Sequence, residues 1–115
     1  MQVVNGHKSA VRFSTEVTGH ESHSALIDQG VNAIMVAGEI IHEISAIRDD
    51  LIAMGDPTGR FNPPYSTVHI GVISGGTANN IVPKTCSFNW ETRLLPDFDD
   101  AYVPARVNAL ARMLE

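Results

Sequence analysis

Apolar and polar residues alternate along the chain in segments that predict either strands or helices. Residues 9–18 alternate with a period of two, which is typical of a half-buried strand, predicted strand one. After a polar turn, apolar residues recur at helical spacing from about residue 31 to about Met54, and Gly55 follows as a stop signal, which predicts helix one. The sheet-facing residues expected in these two elements are Val11, Phe13 and Val17, followed by Val31, Ile34, Ala37, Ile40, Ile41, Ile44, Ile47 and Leu51.

The second half of the chain contains two more alternating segments and a second helical one. Residues 56–64 are rich in proline, with a glycine among them, and therefore predict a surface loop. Predicted strand two alternates Val68, Ile70 and Val72 against its neighbours, with Gly71 as its weak point. The bounds predicted in this half of the chain are residues 66–74 for strand two, 75–83 for a shaped loop, 84–94 for strand three, and about 102 to the end for helix two.

The order strand, helix, strand, strand, helix predicts an α+β fold. We expect a two-layer sandwich of the ferredoxin-like type, an antiparallel sheet with both helices on one face. A fourth strand would complete the split βαβ pattern, and since the sequence ends inside predicted helix two, we expect that strand to be truncated. Residues 1–8, which end near an Asn-Gly turn signal, are predicted to be a hinge or a linker from a preceding domain, and residues 9–115 the domain itself.

Charge and composition exclude several kinds of partner. The 115 residues carry a net charge of -5, and the eight Lys and Arg are scattered, so no footprint for nucleic acid or an anionic membrane surface is visible. No apolar run approaches the ~20 residues of a membrane span. Cys86 is the single cysteine and the chain opens without a signal-like segment, so we expect a soluble protein of the reducing cytoplasm.

The polar turn at residues 19–25 concentrates the proton-handling chemistry of the chain. It combines two imidazoles, His20 and His23, with a carboxylate and two hydroxyls. Loops between regular elements often carry reactive groups that the flanking elements hold in place. The alternative interpretation is a solvated turn capped by Ser24 or Asp28.

Other polar motifs are weaker candidates. Glu39 and His42 have the spacing of a di-iron motif, but a single copy on one helix is insufficient, and a solvated helix face is the simpler interpretation. The Gly75-Gly76-Thr77 sequence lacks the Gly-Lys-Ser/Thr ending of a phosphate loop. Cys86 alternates with polar neighbours on a strand and is predicted to be a core residue. The sequence assigns no role to His7, His20, His42 and His69.

Four motifs follow one another along the chain: Gly19-x-x-x-His23-Ser24, Gly30-Val31-Asn32-Ala33-Ile34, Gly75-Gly76-Thr77-Ala78-x-Asn80-Ile81-Val82-Pro83 and Arg93-x-x-Pro96. Taken together and in order, they resemble the lid or dimerisation domain of the M20 family of zinc metallopeptidases. Within that family, His7-Lys8 and residues 61–67 are most similar to the acetylornithine deacetylase group.

The resemblance implies amide hydrolysis by a full-length zinc enzyme whose metal ligands lie outside this chain. Acetylornithine and water would give ornithine and acetate, a step of arginine biosynthesis, and the isolated chain would be inactive. The resemblance assigns His23 to stabilising the oxyanion in the partner's active site, Asn80 to contacting the substrate, and Arg93 to holding the substrate carboxylate. It also implies a homodimer formed through strand two and helix one.

Two alternatives stay open at this point. The substrate of the same kind of enzyme could be succinyl-diaminopimelate, a dipeptide or another N-acyl amino acid. A different class of function is a free-standing ferredoxin-like module for ligand binding or oligomerisation, since this fold hosts many regulatory domains and does not fix a function by itself.

Overall fold

The structure, a computed structural model, describes residues 9–115. The predicted hinge at residues 1–8, which includes His7, lies outside the described residues. The elements are β1 (Ser9–Thr18), β2 (Ser22–His23), a 3₁₀ helix (Ser24–Gln29), α1 (Ala33–Ala53), β3 (Thr67–Gly75), β4 (Ile81–Val82), β5 (Thr85–Leu94) and α2 (Tyr102–Leu114).

The three long strands form one antiparallel sheet in the order β1, β5, β3. Strand β5 is central, and β1 and β3 are the two edges. Both helices contribute to the core that covers one face of this sheet. The predicted α+β sandwich is therefore confirmed, with predicted strands one, two and three corresponding to β1, β3 and β5.

The core is organised by the alternation of β5. Its even-numbered residues from Cys86 to Leu94 are buried against the helices, while the odd-numbered residues point to the opposite, open face of the sheet. Trp90 stacks on Phe13 of the neighbouring strand with ring centroids 4.2 Å apart, and its indole N–H donates to Thr15 Oγ1 at 2.9 Å. Burial raises the pKa of the Cys86 thiol, and Cys86 is a core residue, as predicted.

Helix α1 has a narrower buried stripe than its sequence suggests. The buried residues are Ala33, Ala37, Ile40, Ile44, Ile47 and Leu51. Ile34 and Val31, which the sequence pattern assigns to the same stripe, are 39% and 52% exposed. The prediction for Ile34 was wrong because Ile34 lies on an apolar face of α1 that the sheet does not cover, and the prediction for Val31 was wrong because α1 begins only at Ala33.

A β-bulge in β3 changes which residues face the core. The register shifts between Ile70 and Val72, so that Val72 lies opposite Asn89 and Ile73 lies opposite Phe88. The predicted alternation of Val68, Ile70 and Val72 therefore holds only up to Gly71, because an extra residue reverses the facing of every residue after it. Both Val72 and Ile73 are more than half exposed.

Candidate functional site

The polar turn after β1 is held against the end of the sheet by main-chain hydrogen bonds. The Gly19 N–H donates to the Lys84 carbonyl at 2.6 Å, and His20 and Val31 exchange two bonds of 2.8 Å. A Cβ added at Gly19 would lie only 2.1 Å from the Val31 carbonyl oxygen. Glycine is required at residue 19 because the two backbone segments approach so closely.

Two short strands join this turn to the loop that follows β3. Ser22 pairs with Val82 and His23 with Ile81, which forms a separate antiparallel sheet of β2 and β4. Beyond it, the Ser24 N–H donates to the Asn80 carbonyl at 2.8 Å. The structure therefore brings the segments of His23 and Asn80 side by side.

The imidazole of His23 is oriented by its own backbone. Its Nδ1 accepts a hydrogen bond from the Ala25 N–H at 3.0 Å, and His23 is the N-cap of the 3₁₀ helix. The alternative cap residues suggested by the sequence, Ser24 and Asp28, lie inside this helix. Because the lone pair of Nδ1 accepts this hydrogen bond, the neutral ring carries its own proton on Nε2. The exposed ring thus presents an Nε2–H donor, for which residues 9–115 supply no acceptor.

Asn80 is held in place through its main chain, which leaves its side chain exposed. All residues from Gly71 to Asn80 are exposed, so the end of β3 and the following loop form a continuous accessible rim. Within residues 9–115, the side-chain amide of Asn80 makes no hydrogen bond, whereas its main-chain carbonyl accepts one from the Ser24 N–H. The side chain is free to contact a ligand or another chain.

Arg93 lies at the other end of the sheet. It sits on the open face of β5, opposite Ala10 on one side and Thr67 on the other. The His23 turn adjoins the start of β5 at Thr85, and eight strand residues of about 3.3 Å each put Arg93 roughly 26 Å further along. The structure therefore does not bring Arg93 together with His23 and Asn80.

Arg93 belongs to an ion cluster on the open face that the sequence analysis did not identify. Glu91 lies between Arg12 of β1 and His69 of β3 in one row across the sheet. Its Oε1 is 3.0 Å from His69 Nε2 and 3.8 Å from Arg93 Nε, and its Oε2 is 3.7 Å from Arg12 Nε. The signal was present in the sequence as charged residues at alternate strand positions, but the cross-strand register was needed to group them.

The environment of Glu91 favours its charged form. The hydrogen bond from His69 lowers the pKa of the Glu91 carboxyl, the charges of Arg93, His69 and Arg12 lower it further, and burial opposes them. The side chain is only 19% exposed, and Oε2 is buried without a hydrogen-bond partner among the described residues. Beside this cluster, a hollow of about 410 Å³ opens on the sheet, with Arg12, His69 and Glu91 among its lining residues.

The remaining candidates form no site in the part of the chain that the structure describes. His20 is exposed, as are Glu39 and His42 on α1. Across residues 9–115 there is no group of three or more His, Cys, Asp or Glu side chains that could hold a metal ion. None of the described helices is long and apolar enough to cross a membrane.

Comparison with known proteins identifies the family. Residues 5–113 match the peptidase dimerisation domain of the M20 family. The chain belongs to the M20 peptidase dimerisation domain family. The resemblance seen in the sequence motifs is thereby confirmed, and the family's description implies self-association.

The curated relatives with the most similar sequences include acetylornithine deacetylases. The chain is 36% identical over 112 residues to the enzyme of Myxococcus xanthus, covering 93% of this chain and 27% of that protein. It is 34% identical over 106 residues to the enzyme of Proteus mirabilis, covering 87% of this chain and 27% of that protein. The chain therefore spans only about a quarter of the length of these relatives.

Solved structures share the fold at lower sequence identity. An amidase of the hydantoinase/carbamoylase family from Burkholderia vietnamiensis superposes with a TM-score of 0.73 at 18% identity, covering 93% of this chain and 24% of that chain. At this identity the similarity shows the fold alone.

Proposed function

We propose that this chain is the lid and dimerisation domain of a zinc-dependent amidohydrolase, acetylornithine deacetylase. The observation that carries the proposal is sequence identity of 36% to such an enzyme along nearly the whole chain. The motifs with His23 and Asn80 lie side by side in the structure, which is the arrangement expected if both serve one site. A cytoplasmic location and a role in arginine biosynthesis are part of the same proposal.

His23 would act on the charge that develops during amide hydrolysis. Attack of water on the amide carbonyl builds negative charge on its oxygen, and a preorganised N–H donor beside that oxygen lowers the barrier by roughly 3 to 4 kcal/mol. The Nε2–H of His23 fits this task because the Ala25 N–H already occupies Nδ1 and fixes the ring. Asn80 would contact the same substrate molecule from the neighbouring loop.

The zinc of such an enzyme has no ligand set among the described residues of this chain. Residues 9–115 contain no metal-binding cluster, so no step of the proposal is assigned to a metal held here. We accordingly expect the purified 115-residue chain to hydrolyse no acetylornithine. Stoichiometric zinc in the purified chain together with deacetylase activity would contradict this expectation.

Arg93 and His23 of one chain would serve different active sites. An extended acetylornithine molecule is about 10 Å long, comparable to three residues of extended chain, whereas the two side chains lie on segments roughly 26 Å apart along β5. Each site of a dimer would then combine Arg93 of one chain with His23 and Asn80 of its partner. The planar guanidinium of Arg93 suits the substrate carboxylate because it can donate two parallel hydrogen bonds.

The dimer would form through β3 and α1. The outer edge of β3 is unpaired in the described chain, and Val72 and Ile73 expose 61% and 53% of their surface there. On α1, Ile34 and Met35 are 39% and 68% exposed. An unpaired strand edge is a ready template for a second strand, and a two-fold pairing closes without propagating.

Charge placed on β3 tests this interface. Val72→Asp should lower the association constant of the dimer by about tenfold or more. The reason is that two like charges, one from each chain, would then lie at the proposed interface. Ser14→Asp is the matched control, since it adds the same charge to the open face of the opposite edge strand. Light scattering over a range of protein concentrations measures the association constants of both variants. A Val72→Asp protein that dimerises like the wild type would exclude the β3 interface.

A mixture of two variants tests the composite site. His23→Ala and Arg93→Ala proteins of the full-length enzyme are co-expressed with different affinity tags, and the heterodimer is isolated. If each site takes Arg93 from one chain and His23 from the other, both defects fall in the same site and the other site is intact. The heterodimer then regains activity at low acetylornithine concentration. Heterodimers that stay as inactive as their parents would show that His23 and Arg93 of one chain act in the same site, which would overturn the composite arrangement.

The substrate is tested by direct comparison. The full-length enzyme should hydrolyse acetylornithine with a higher kcat/KM than succinyl-diaminopimelate, dipeptides or other N-acyl amino acids. Preference for one of these alternatives would keep the hydrolase class and overturn the deacetylase assignment. Absence of any amide hydrolysis would instead favour a free-standing binding module.

A further inference from the structure

The ion cluster around Glu91 contains more positive than negative charge. One carboxylate contacts two guanidinium groups and one imidazole, so the cluster has a net charge of at least +1 in a chain whose total is -5. The surplus leaves this part of the open face attractive to an anion.

The orientation of Glu91 is fixed from both neighbouring strands. The hydrogen bond between His69 Nε2 and Glu91 Oε1 spans 3.0 Å across neighbouring strands, and Arg12 contacts the other oxygen. The carboxylate is therefore held within the sheet face rather than left to rotate in solvent. Oε1 is the oxygen that also faces Arg93.

Arg93 lies beside Glu91 on the open face of β5, with Nε 3.8 Å from Oε1. Its two cross-strand neighbours, Ala10 and Thr67, are short and carry no charge. Glu91 is its one ion-pair partner within residues 9–115, and the contact is made by Nε. Glu91 therefore lies on the Nε side of the Arg93 guanidinium. The two terminal nitrogens of Arg93 have no hydrogen-bond acceptor in the described chain. Without Glu91, a long side chain that is 52% exposed would sample many rotamers.

We propose that Glu91 is a positioning residue for substrate recognition: it contacts Arg93 at Nε and so directs the two terminal nitrogens toward the carboxylate of an N-acyl amino acid. This inference rests on the proposed function, and it adds a residue that touches no substrate atom itself. Bidentate recognition of a carboxylate requires the guanidinium plane to be preset, since the two donors must meet two oxygens at once. Glu91 supplies that preset orientation at the cost of one buried, unbonded oxygen.

The test compares two substrates in the full-length enzyme. Glu91→Gln keeps the size of the side chain but removes its charge. It should raise KM for acetylornithine by about tenfold with kcat nearly unchanged, because an interaction common to ground and transition states is weakened. The preference for acetylornithine over its α-carboxamide analogue should fall by a similar factor. This ratio is independent of the fraction of enzyme that is folded, so it stays informative if the variant is less stable.

A double variant and a control separate the possible outcomes. If Glu91 acts through Arg93, Glu91→Gln combined with Arg93→Ala should show the KM of Arg93→Ala alone. Glu16 lies on β1, on the same open face of the sheet as Glu91, and has no ion pair in the described chain, so Glu16→Gln should leave KM and the substrate preference unchanged. Unchanged carboxylate preference in Glu91→Gln, or multiplied effects in the double variant, would overturn the proposal. An Arg93→Ala enzyme with wild-type KM would instead overturn the role of Arg93 in the proposed function.

Discussion

The two ends of the sheet hold their candidate side chains by different means. At one end, His23 and Asn80 lie on irregular segments that main-chain hydrogen bonds tie together, with a glycine at the closest approach. At the other end, Arg93 lies on a regular strand and forms an ion pair with Glu91. The first arrangement depends on the path of the backbone, whereas the second depends on electrostatics. Substitutions and pH should therefore affect the two ends differently.

The largest effect is expected at the backbone-held end. His23→Ala in the full-length enzyme should lower kcat by on the order of a hundredfold, as when an oxyanion donor is removed, while dimerisation and metal content stay intact. His20→Ala is the matched control, because it removes an exposed imidazole from the same turn and leaves the main-chain bonds to Val31 in place. A similar loss of kcat in both variants would assign the effect to the turn and not to His23.

A change in the backbone path should affect one end only. Gly19→Ala would place a Cβ against the Val31 carbonyl, and the forced shift should lower the free energy of unfolding by about 1 to 3 kcal/mol. The kcat should fall because His23 moves, while the preference for a substrate carboxylate at the Arg93 end is retained. Thermal unfolding and steady-state kinetics measure both effects. Thr18→Ala, at the last residue of β1, adds no atom and serves as the control. Equal losses of stability and kcat in the two variants would contradict the explanation.

Asn80→Ala distinguishes the role of the Asn80 side chain from that of its main chain at the end of the sheet that holds His23. The variant removes the exposed amide but keeps the carbonyl that accepts from Ser24, so the turn should stay in place. We expect KM to rise by about fivefold, the effect of one neutral hydrogen bond of about 1 kcal/mol, with the melting temperature unchanged. Lower thermal stability without a change in KM would indicate a structural role for the amide.

The smallest effect is expected from the pH dependence of the charge-held end. The folded-state pKa of Glu91 is lowered from its ordinary value of 4.5, chiefly by the hydrogen bond from His69. In the acidic range the unfolded chain then binds more protons at this carboxyl, so its stabilising contribution is present above pH 4.5 and is lost as pH falls through the folded-state pKa. Because the partners Arg12, His69 and Arg93 are all more than half exposed, solvent screens these ion pairs and the contribution is below about 1 kcal/mol.

Urea unfolding of the wild type and Glu91→Gln between pH 3 and pH 7 measures this contribution. The stability difference between the two proteins should be largest at neutral pH and should shrink as the solution becomes acidic. Glu16→Gln, measured in parallel, is the control for removing a carboxylate from the open face of the sheet. A stability difference that grows toward low pH would have the wrong sign for a carboxyl with a lowered pKa.

The long elements could be predicted from sequence because their periodicity is local. The alternation in β5 and the helical spacing in α1 each extend over ten or more residues, which is enough for hydrophobic burial to select one structure. The two-residue strands β2 and β4 have no such period, since their pairing is a contact between distant segments. Nothing in the sequence near His23 indicates that Ile81 lies opposite it.

The sequence by itself determined the family, the two-layer architecture and the identity of the candidate residues His23, Asn80 and Arg93, because local periodicity and motif order contain that information. The tertiary structure decided which of them lie together. Strand register placed Glu91 between Arg12 and His69 and next to Arg93, the bulge at Gly71 turned Val72 outward, and the length of β5 separated Arg93 from His23. These outcomes depend on pairing between distant segments, where a shift of one residue would exchange the two faces of the sheet.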